Sequence, residues 1–391
     1  EQAHLLFARY GKTVSAGYRE DFTPRRAVFD VQQLDRLTTD KPVDVALYQE
    51  LGDPQNRFRL KLYALNEPVP LSSALPLLED LGAWVISETP YVLRTQSQSI
   101  WIHDYQLTLP GGRDLPEIRT LFQEALLAAW SEQTETDGFQ RLVVLSALAW
   151  RDVMLLRALS AYIKQIGFEL SLTWMADTLS QYPLIARDLV GLFYARFDTS
   201  RSYNPELETK LANHILDSLD QVSGLNEDRY IRRLLEVIEA TQRTNFFVQT
   251  AEGLLPYMSF KLAPSTITDM PKPVPYREIF VYSARVEGVH LRGGPVARGG
   301  LRWSDRGEDY RTEVLGLVKA QQVKNSVIVP VGAKGGFFPK RLPSHDRDAA
   351  HAEAVACYQW FISGLLDLTD NRIDGEITPP DQVRCHDAPD P

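Results

Sequence analysis

A basic, glycine-rich stretch from residue 285 to 341 constrains this chain more than any other segment. It contains eleven Lys and Arg against five Asp and Glu, whereas the whole chain of 391 residues carries a formal net charge of −9. Glycine pairs occur in it at 293–294, 299–300 and 335–336. Paired glycines let a backbone approach a ligand closely, and a basic island in an acidic protein attracts small anions. The stretch therefore predicts a built anion site more than a solvated charged face.

Composition places the chain among ordinary globular proteins, with 44% hydrophobic and 24% charged residues. No apolar run approaches the roughly 20 residues of a membrane span, and the first residues lack the order of a signal peptide. Two cysteines, Cys357 and Cys385, form no metal-binding spacing, which favours reduced thiols and a cytoplasmic setting. The acidic balance argues against nucleic acid as the main partner.

The first part of the chain predicts a polar N-terminal segment, residues 1–39, followed by a small α+β module, residues 40–112. The chain does not open on Met, which predicts a fragment or a processed product. In the module, apolar residues at 58–64 alternate with polar ones and predict a half-buried strand. A helix over 71–81 and strands over 83–93 and 99–109 follow, a pattern typical of ferredoxin-like or ACT-like regulatory modules. A packing module without a ligand remains the alternative.

Residues 113–258 predict a helical region. Apolar positions recur at helical spacing over six segments, and Pro183 suits a first helical turn. The segments 170–175 and 194–202 are predicted to contain helix junctions. Helical segments are predicted at 115–131, 138–148, 150–166, 183–197, 206–222 and 227–242.

Residues 259–391 predict a partial α/β domain that begins in the proline-rich segment 259–278 and turns to strand at Ile279. A helix is expected over 311–326 and a short buried strand over 327–331. Lys324 falls at the edge of the apolar face of this helix, so its ammonium needs an anion, unless it snorkels to solvent. Lys319 points away from that face.

Lys334 is predicted to lie at the end of the short strand, between small residues that leave it sterically open. An exposed turn lysine is the ordinary alternative, but Arg298, Arg302 and Lys324 occur near the same glycine pairs. Neighbouring cations lower the pKa of a lysine toward neutrality, which suits acid–base chemistry. No GxxxxGK[ST] and no GxGxxG occurs in the chain, so neither a P-loop nor a dinucleotide fingerprint is present.

Three blocks in order, GGPVARGGLRW, EVLGLVKAQQVKNS and VGAKGG, resemble the amino-acid dehydrogenases of the glutamate dehydrogenase superfamily. The motifs RGGLRWSDR and GAKGGFFPKR are more similar to those of the large bacterial NAD-specific glutamate dehydrogenases than to those of the short hexameric ones. The resemblance implies a multidomain α+β chain with an ACT-like module, a central helical region and part of the substrate domain of the catalytic core.

The resemblance also implies roles for individual residues. Lys334 matches the catalytic lysine, Lys324 the lysine that binds the substrate α-carboxylate, and Gln321 a glutamine that assists it. Arg298, beside Gly299 and Gly300 of the substrate site, stands where short members have a lysine for the side-chain carboxylate.

The implied function is NAD-dependent oxidative deamination of L-glutamate to 2-oxoglutarate and ammonia in amino-acid catabolism. A homo-oligomer, an allosteric amino-acid effector and a NAD domain beyond residue 391 are expected. The family's catalytic aspartate block is absent from the sequence, and none of the nearby acids Asp374, Glu376, Asp387 and Asp390 takes its place. A related dehydrogenase for leucine or phenylalanine, or a non-catalytic effector-binding segment, remains an alternative.

Overall fold

The computed structural model of the chain describes residues 9–11, 13–95, 98–295, 298–325 and 332–389, and for 322–325 it describes the helical backbone alone. The chain divides into two compact units, residues 1–153 and 154–391. The architecture is mixed α and β in several sheets, which confirms the predicted fold class.

The first unit is built on a four-stranded antiparallel sheet with the strand order β1-β2-β4-β3. Gln123 of helix α4 accepts a hydrogen bond from the Leu47 amide of β1 at 2.9 Å, and α4 packs along that strand. The elements are α1 (Ala16–Asp21), α2 (Pro24–Leu34), β1 (Val43–Tyr48), β2 (Arg57–Leu65), α3 (Leu71–Asp80), β3 (Trp84–Arg94), β4 (Ser99–Thr108), α4 (Leu115–Trp130) and α5 (Leu142–Leu145).

Strand β2 is buried on both faces, so the prediction of a half-buried strand was wrong. Its polar face carries Lys61 and Tyr63, which are 1% and 0% exposed. Helices α1 and α2 cover this face through Asp30, whose carboxylate pairs with the Lys61 ammonium and accepts a hydrogen bond from the Tyr63 hydroxyl at 2.8 Å. The Lys61 ammonium also lies 3.5 Å from the ring centroid of Phe22. Alternation of apolar and polar residues along β2 could not show that a buried carboxylate covers the polar side.

Three further elements of this unit, two helices and a strand, were missed at the level of sequence. The segment predicted as a polar tail contains α1 and α2, each with a hydroxyl N-cap, Ser15 and Thr23. Strand β1 pairs with β2 along its whole length, although no strand was predicted before residue 58. Residues 1–8 and 12 of the predicted N-terminal segment lie outside the described residues.

The second unit is organised around a six-stranded sheet with the order β11-β12-β10-β9-β8-β5. All neighbouring strands are antiparallel except β11 and β12, which run parallel. The division between the units falls within α6. The elements are α6 (Trp150–Gln165), α7 (Leu172–Gln181), α8 (Pro183–Phe197), α9 (Pro205–Ser218), α10 (Leu225–Ala240), β5 (Thr241–Thr244), β6 (Gln249–Thr250), β7 (Gly253–Leu254), β8 (Met258–Leu262), β9 (Arg277–Tyr282), β10 (Val286–Arg292), β11 (Gly299–Trp303), α11 (Tyr310–Asn325), β12 (Ala333–Pro339), α12 (Arg347–Leu366), β13 (Asn371–Ile373) and β14 (Glu376–Thr378).

Helices α11 and α12 lie on opposite faces of this sheet. A Cβ atom built on Gly336 of β12 would lie 2.5 Å from the Val314 side chain of α11. A Cβ atom built on Gly288 of β10 would lie 2.4 Å from the Phe361 ring of α12. The phenyl ring of Phe337, the neighbour of Gly336 along β12, stacks on that of Phe361 and so faces α12. The even-numbered residues at the start of β12, among them Lys334, therefore face the α11 side.

Several predicted boundaries in this unit were wrong. The segment 170–175 contains a helix junction as predicted, but the helix that starts in it, α7, was not predicted; the hydroxyl of its N-cap Ser171 accepts from the Trp174 amide. The first strand of the six-stranded sheet begins at Thr241, well before the predicted start at Ile279. A second strand, Met258–Leu262, extends into the segment 259–278 that was predicted to be a proline-rich boundary. Lys334 lies inside β12 and not beyond the end of a strand. The strand predicted over 327–331 lies outside the described residues.

Among the described residues, no helix has both the length and the apolar character needed to cross a membrane.

Replacing Asp30 by Ala is predicted to destabilise the first unit by about 3–5 kcal/mol, because it leaves the buried Lys61 ammonium without its counter-charge. Urea denaturation followed by circular dichroism measures the loss. The matched control is Asp35→Ala, since the Asp35–Arg9 pair is exposed and such pairs contribute about 0–1 kcal/mol. Equal losses in the two variants would contradict the assigned role of Asp30.

Asp104 predicts a pH dependence of stability. Burial raises the pKa of this carboxyl from 3.8 to about 6, against the opposing effect of the Lys61 charge. The folded state therefore retains a proton that the unfolded chain releases near pH 4, so stability falls as pH rises from about 4 to about 6. Asp104→Asn should be more stable than the parent by about 1–3 kcal/mol at pH 7, with little difference below pH 4. Thermal melting at both pH values measures this; a pH-independent difference would refute it.

Candidate active site

The parallel pairing of β11 and β12 brings together two glycine motifs that are more than thirty residues apart in the sequence. Gly299 lies opposite Ala333, and Gly300 lies opposite Lys334. The pairing starts with the Ala333 amide, which donates to the Arg298 carbonyl at 2.7 Å. Two segments of the basic stretch, β11 and β12, therefore pair at one edge of the six-stranded sheet.

Two of the glycines allow the strands to approach this closely. A Cβ atom on Gly299 would lie 1.4 Å from the Ala333 carbonyl oxygen, and one on Gly332 would lie 2.3 Å from the Arg298 carbonyl oxygen. Neither neighbour is a flexible side chain, so a larger residue would have to part the two backbones. Glycine is thus required here for close approach of two chains.

Lys334 is half-buried on β12, and its ammonium lies near the backbone of Gly300. A Cβ atom on Gly300 would be 3.8 Å from the Lys334 Nζ, which is an ordinary contact distance. The bare backbone of Gly300 is exposed beside this ammonium. A small anionic or carbonyl-bearing molecule can therefore reach the Lys334 Nζ from the solvent side.

Helix α11 places a second polar group at the same edge. The Gln321 Nε2 would lie 2.8 Å from a Cβ atom on Gly332, next to the start of β12. Lys324 follows Gln321 by three residues on this helix, so the two belong to the same helical face. The side chain of Lys324 lies outside the described residues. Arg298 is exposed immediately before β11.

The first turn of α11 is fixed by a buried ion pair. Arg311 and Glu278 of β9 are 1% and 0% exposed and form two hydrogen bonds of 2.7 Å each. Burial lowers the pKa of the Arg311 guanidinium, but the charge and hydrogen bonds of Glu278 outweigh this effect, so the pKa is raised above its ordinary value. The Gln165 side chain of α6 accepts from the Arg311 amide at 3.2 Å, which satisfies one unpaired N–H of the helix start.

Comparison with known proteins agrees with this arrangement. A family model for the catalytic domain of bacterial NAD-glutamate dehydrogenase matches residues 214–391. Models for glutamate dehydrogenase helical motif 3, the ACT3 domain and helical motif 2 match residues 134–199, 42–119 and 1–37.

Curated relatives are similar over nearly the whole chain. The NAD-specific glutamate dehydrogenases of Pseudomonas aeruginosa, Halomonas elongata and Mycobacterium tuberculosis are 51%, 48% and 41% identical over 99%, 100% and 97% of this chain. The chain belongs to the large bacterial NAD-specific glutamate dehydrogenase family. It spans 24% of the length of each of these three relatives. The predicted family is therefore confirmed, whereas the predicted domain boundaries and site residues stay predictions.

One cation that the sequence grouped with the site is already paired. The Arg302 guanidinium lies 2.7 Å from the Glu313 carboxylate of α11, so it is not a free anion-binding group. Neither Glu313 nor Glu278 was predicted from the sequence as a partner of these cations. A carboxylate within a strand, directly before the apolar run 279–282, is a signal that could have identified Glu278, but nothing local points to Glu313.

The acids near the end of the chain fall into two environments. Asp387 is held at 2.6 Å by Arg243 and at 2.7 Å by Lys261, within a buried ion-pair network. Asp374 and Glu376 are exposed in the β13–β14 hairpin. Asp390 lies outside the described residues. Across the described parts of the chain, no group of three or more His, Cys, Asp or Glu has the geometry of a metal site.

Gly299→Ala is predicted to separate the starts of β11 and β12, because its Cβ atom has no room beside the Ala333 carbonyl. We expect a loss of at least about 2 kcal/mol in the free energy of unfolding and faster hydrogen exchange at the Ala333 amide. Gly316→Ala on α11 is the control, since its Cβ atom would meet open space and Ala favours helix by up to about 1 kcal/mol. Unchanged exchange at Ala333 in Gly299→Ala would contradict this account.

Proposed function

We propose that this chain forms the glutamate-binding part of a NAD-specific glutamate dehydrogenase that converts L-glutamate to 2-oxoglutarate and ammonia. One observation carries the proposal: the Lys334 ammonium lies over the exposed backbone of Gly300, with the Gln321 amide at the start of the same strand. A lysine, an amide and bare backbone on one side of a sheet edge suit a small carboxylate-bearing substrate.

Substrate binding is assigned to two cations. L-glutamate carries two carboxylates, and a carboxylate accepts charge-assisted hydrogen bonds from lysine or arginine. Lys324 on α11 takes the α-carboxylate with help from Gln321, and Arg298 takes the side-chain carboxylate in a planar, bidentate contact. Gly299 lets β11 approach β12 closely, and the bare backbone of Gly300 leaves room for the substrate carbon chain between these anchors.

Lys334 is assigned the acid–base role. In the deamination direction the Lys334 amine accepts a proton from the substrate ammonium, releases it to solvent once the imine has formed, and then accepts a proton from the water that adds to the imine carbon. The half-buried position of its Nζ beside Gly300 puts it within reach of a substrate held along β11. An aspartate that completes the proton transfers is not assigned among these residues.

We propose no dinucleotide site among the described residues. Apart from the β11–β12 pair the six-stranded sheet is antiparallel, and the chain contains no GxGxxG turn, so the geometry of a parallel dinucleotide-binding unit is missing. NAD as hydride acceptor is proposed from the names of the relatives alone, and no step is derived through it.

Further properties are proposed on sequence grounds. We propose a homo-oligomer, a cytoplasmic setting and an amino-acid effector that binds the ACT-like module, with domains at 1–39, 40–112, 113–258 and 259–391. The family match to an ACT3 domain over 42–119 supports the module. Both cysteines, which are free in the structure, suit a reducing compartment.

The proposal predicts separable effects of the two lysines in the full-length enzyme. Lys334→Ala should lower kcat by roughly 10²- to 10⁴-fold while leaving 2-oxoglutarate binding partly intact, because it removes a proton-transfer group. Lys324→Ala should weaken substrate binding by roughly 10- to 100-fold, because it removes a charged hydrogen bond. NADH formation and calorimetric titration with 2-oxoglutarate measure the two effects.

Lys319→Ala is the matched control, since Lys319 lies on the same helix and is exposed. Full activity of Lys334→Ala would remove its catalytic assignment, and unchanged affinity of Lys324→Ala would remove its role as an anchor. A preference for leucine or phenylalanine over glutamate would favour the related dehydrogenases, whose apolar pocket has no use for Arg298. Binding of an effector without turnover, unaffected by either substitution, would favour the alternative of a non-catalytic effector-binding segment.

A further inference from the structure

The carboxylate of Glu313 joins helix α11 to strand β11. Its side chain is 12% exposed. One oxygen lies 2.7 Å from the Arg302 guanidinium, and the other accepts from the Ser304 hydroxyl at 2.7 Å. Ser304 is 2% exposed, and its amide donates to the Phe337 carbonyl of β12 at 2.9 Å. We call Glu313, Arg302 and Ser304 the Glu313 clamp.

The clamp acts on a strand that has few other attachments. Within the described residues β11 lies at the edge of the sheet and pairs only with β12. All five of its residues are exposed. A short edge strand held along one side is free to twist or shift at its other side. The Glu313 carboxylate supplies a second attachment, from above the face of the sheet.

The clamp also lies on the face that carries the candidate site. Arg302 is in register with Gly336, two pairs along from Gly300 and Lys334 and therefore on the same face of the two strands. On the helix, Glu313 precedes Gln321 by eight residues, or about 12 Å at 1.5 Å per residue. The clamp therefore connects the strand that follows Arg298 with the helix that carries Gln321 and Lys324.

We propose that Glu313 is a positioning residue for the substrate site. It does not contact substrate; it holds β11 against α11, so that the anchors on the strand side and on the helix side face each other at a fixed separation. A dicarboxylate that must reach both anchors is sensitive to that separation, because a displacement of about 1 Å can cost 10²-fold in rate. This inference rests on the proposed function.

A positioning role and a purely stabilising role for Glu313 predict different effects of its substitution. A positioning residue changes the affinity for substrate, whereas a stabilising contact changes the folding stability. Arg302 is 54% exposed, and exposed ion pairs contribute little to folding stability. Glu313→Gln keeps an oxygen for Ser304 and removes the charge that holds Arg302. We expect the KM for glutamate to rise about tenfold in the full-length enzyme, with a smaller change in kcat and a melting temperature within a few degrees of the parent.

Arg302→Met should reproduce the rise in KM, whereas Arg302→Lys should have a KM closer to that of the parent. The double variant of Glu313→Gln and Arg302→Met should have a KM no higher than either single variant. The matched control is Asp309→Asn, because the Asp309 carboxylate forms an exposed ion pair with the Arg306 guanidinium in the same segment and is not a member of the Glu313 clamp. It should leave KM unchanged.

Hydrogen exchange at the Ser304 amide, without substrate, measures the restraint on β11 directly. Faster exchange in Glu313→Gln together with the raised KM supports the inference. A wild-type enzyme that binds glutamate, with a KM unchanged or lowered in Glu313→Gln, overturns the clamp and leaves the proposed function standing. A wild-type enzyme that neither turns over nor binds glutamate overturns both.

Discussion

The close approach of the Gly299 backbone to the Ala333 carbonyl is the constraint on which the candidate site depends. Any side chain at residue 299 would have to occupy the space of that oxygen. Because both strands run in the same direction, their register places Gly300 beside Lys334, and the lysine ammonium ends up over bare backbone. The candidate site is thus a product of strand pairing, because the glycines bring Arg298 and Lys334 to one edge of the sheet.

Helix α11 needs a rigid base if it is to carry groups for a small substrate. The base is the buried pair of Arg311 with Glu278, assisted by Gln165. Burying two charges costs several kcal/mol each, and such a pair is tolerated when both partners form good hydrogen bonds. The doubly hydrogen-bonded geometry meets that condition. It also sets the direction in which the helix leaves the sheet, since a guanidinium and a carboxylate in this arrangement have one relative orientation.

The first unit also contains a buried ion pair, which here joins a sheet to the helices that cover it. The Asp30 carboxylate, inside the cover formed by α1 and α2, compensates the buried Lys61 ammonium beneath it. Tyrosine hydroxyls fill the remaining acceptor positions of that carboxylate, so little of its hydrogen-bonding capacity is left unsatisfied. The sheet of this unit is consequently covered on a face whose residues look solvent-exposed in the sequence. The N-terminal helices are therefore part of the folded unit.

The sequence by itself determined the family, the order of the motif blocks, most helices of the central region and the helix that carries Gln321 and Lys324. Those features depend on periodicity, turn residues and motif spacing, which are local properties of a chain. The tertiary structure decided which charges are free. It paired Arg302 with Glu313 and Lys61 with Asp30, placed Lys334 within a strand, and began the second sheet at Thr241. A salt-bridge partner or a strand neighbour lies far along the chain in several of these cases, and no local pattern specifies the distance between residues that meet only after folding.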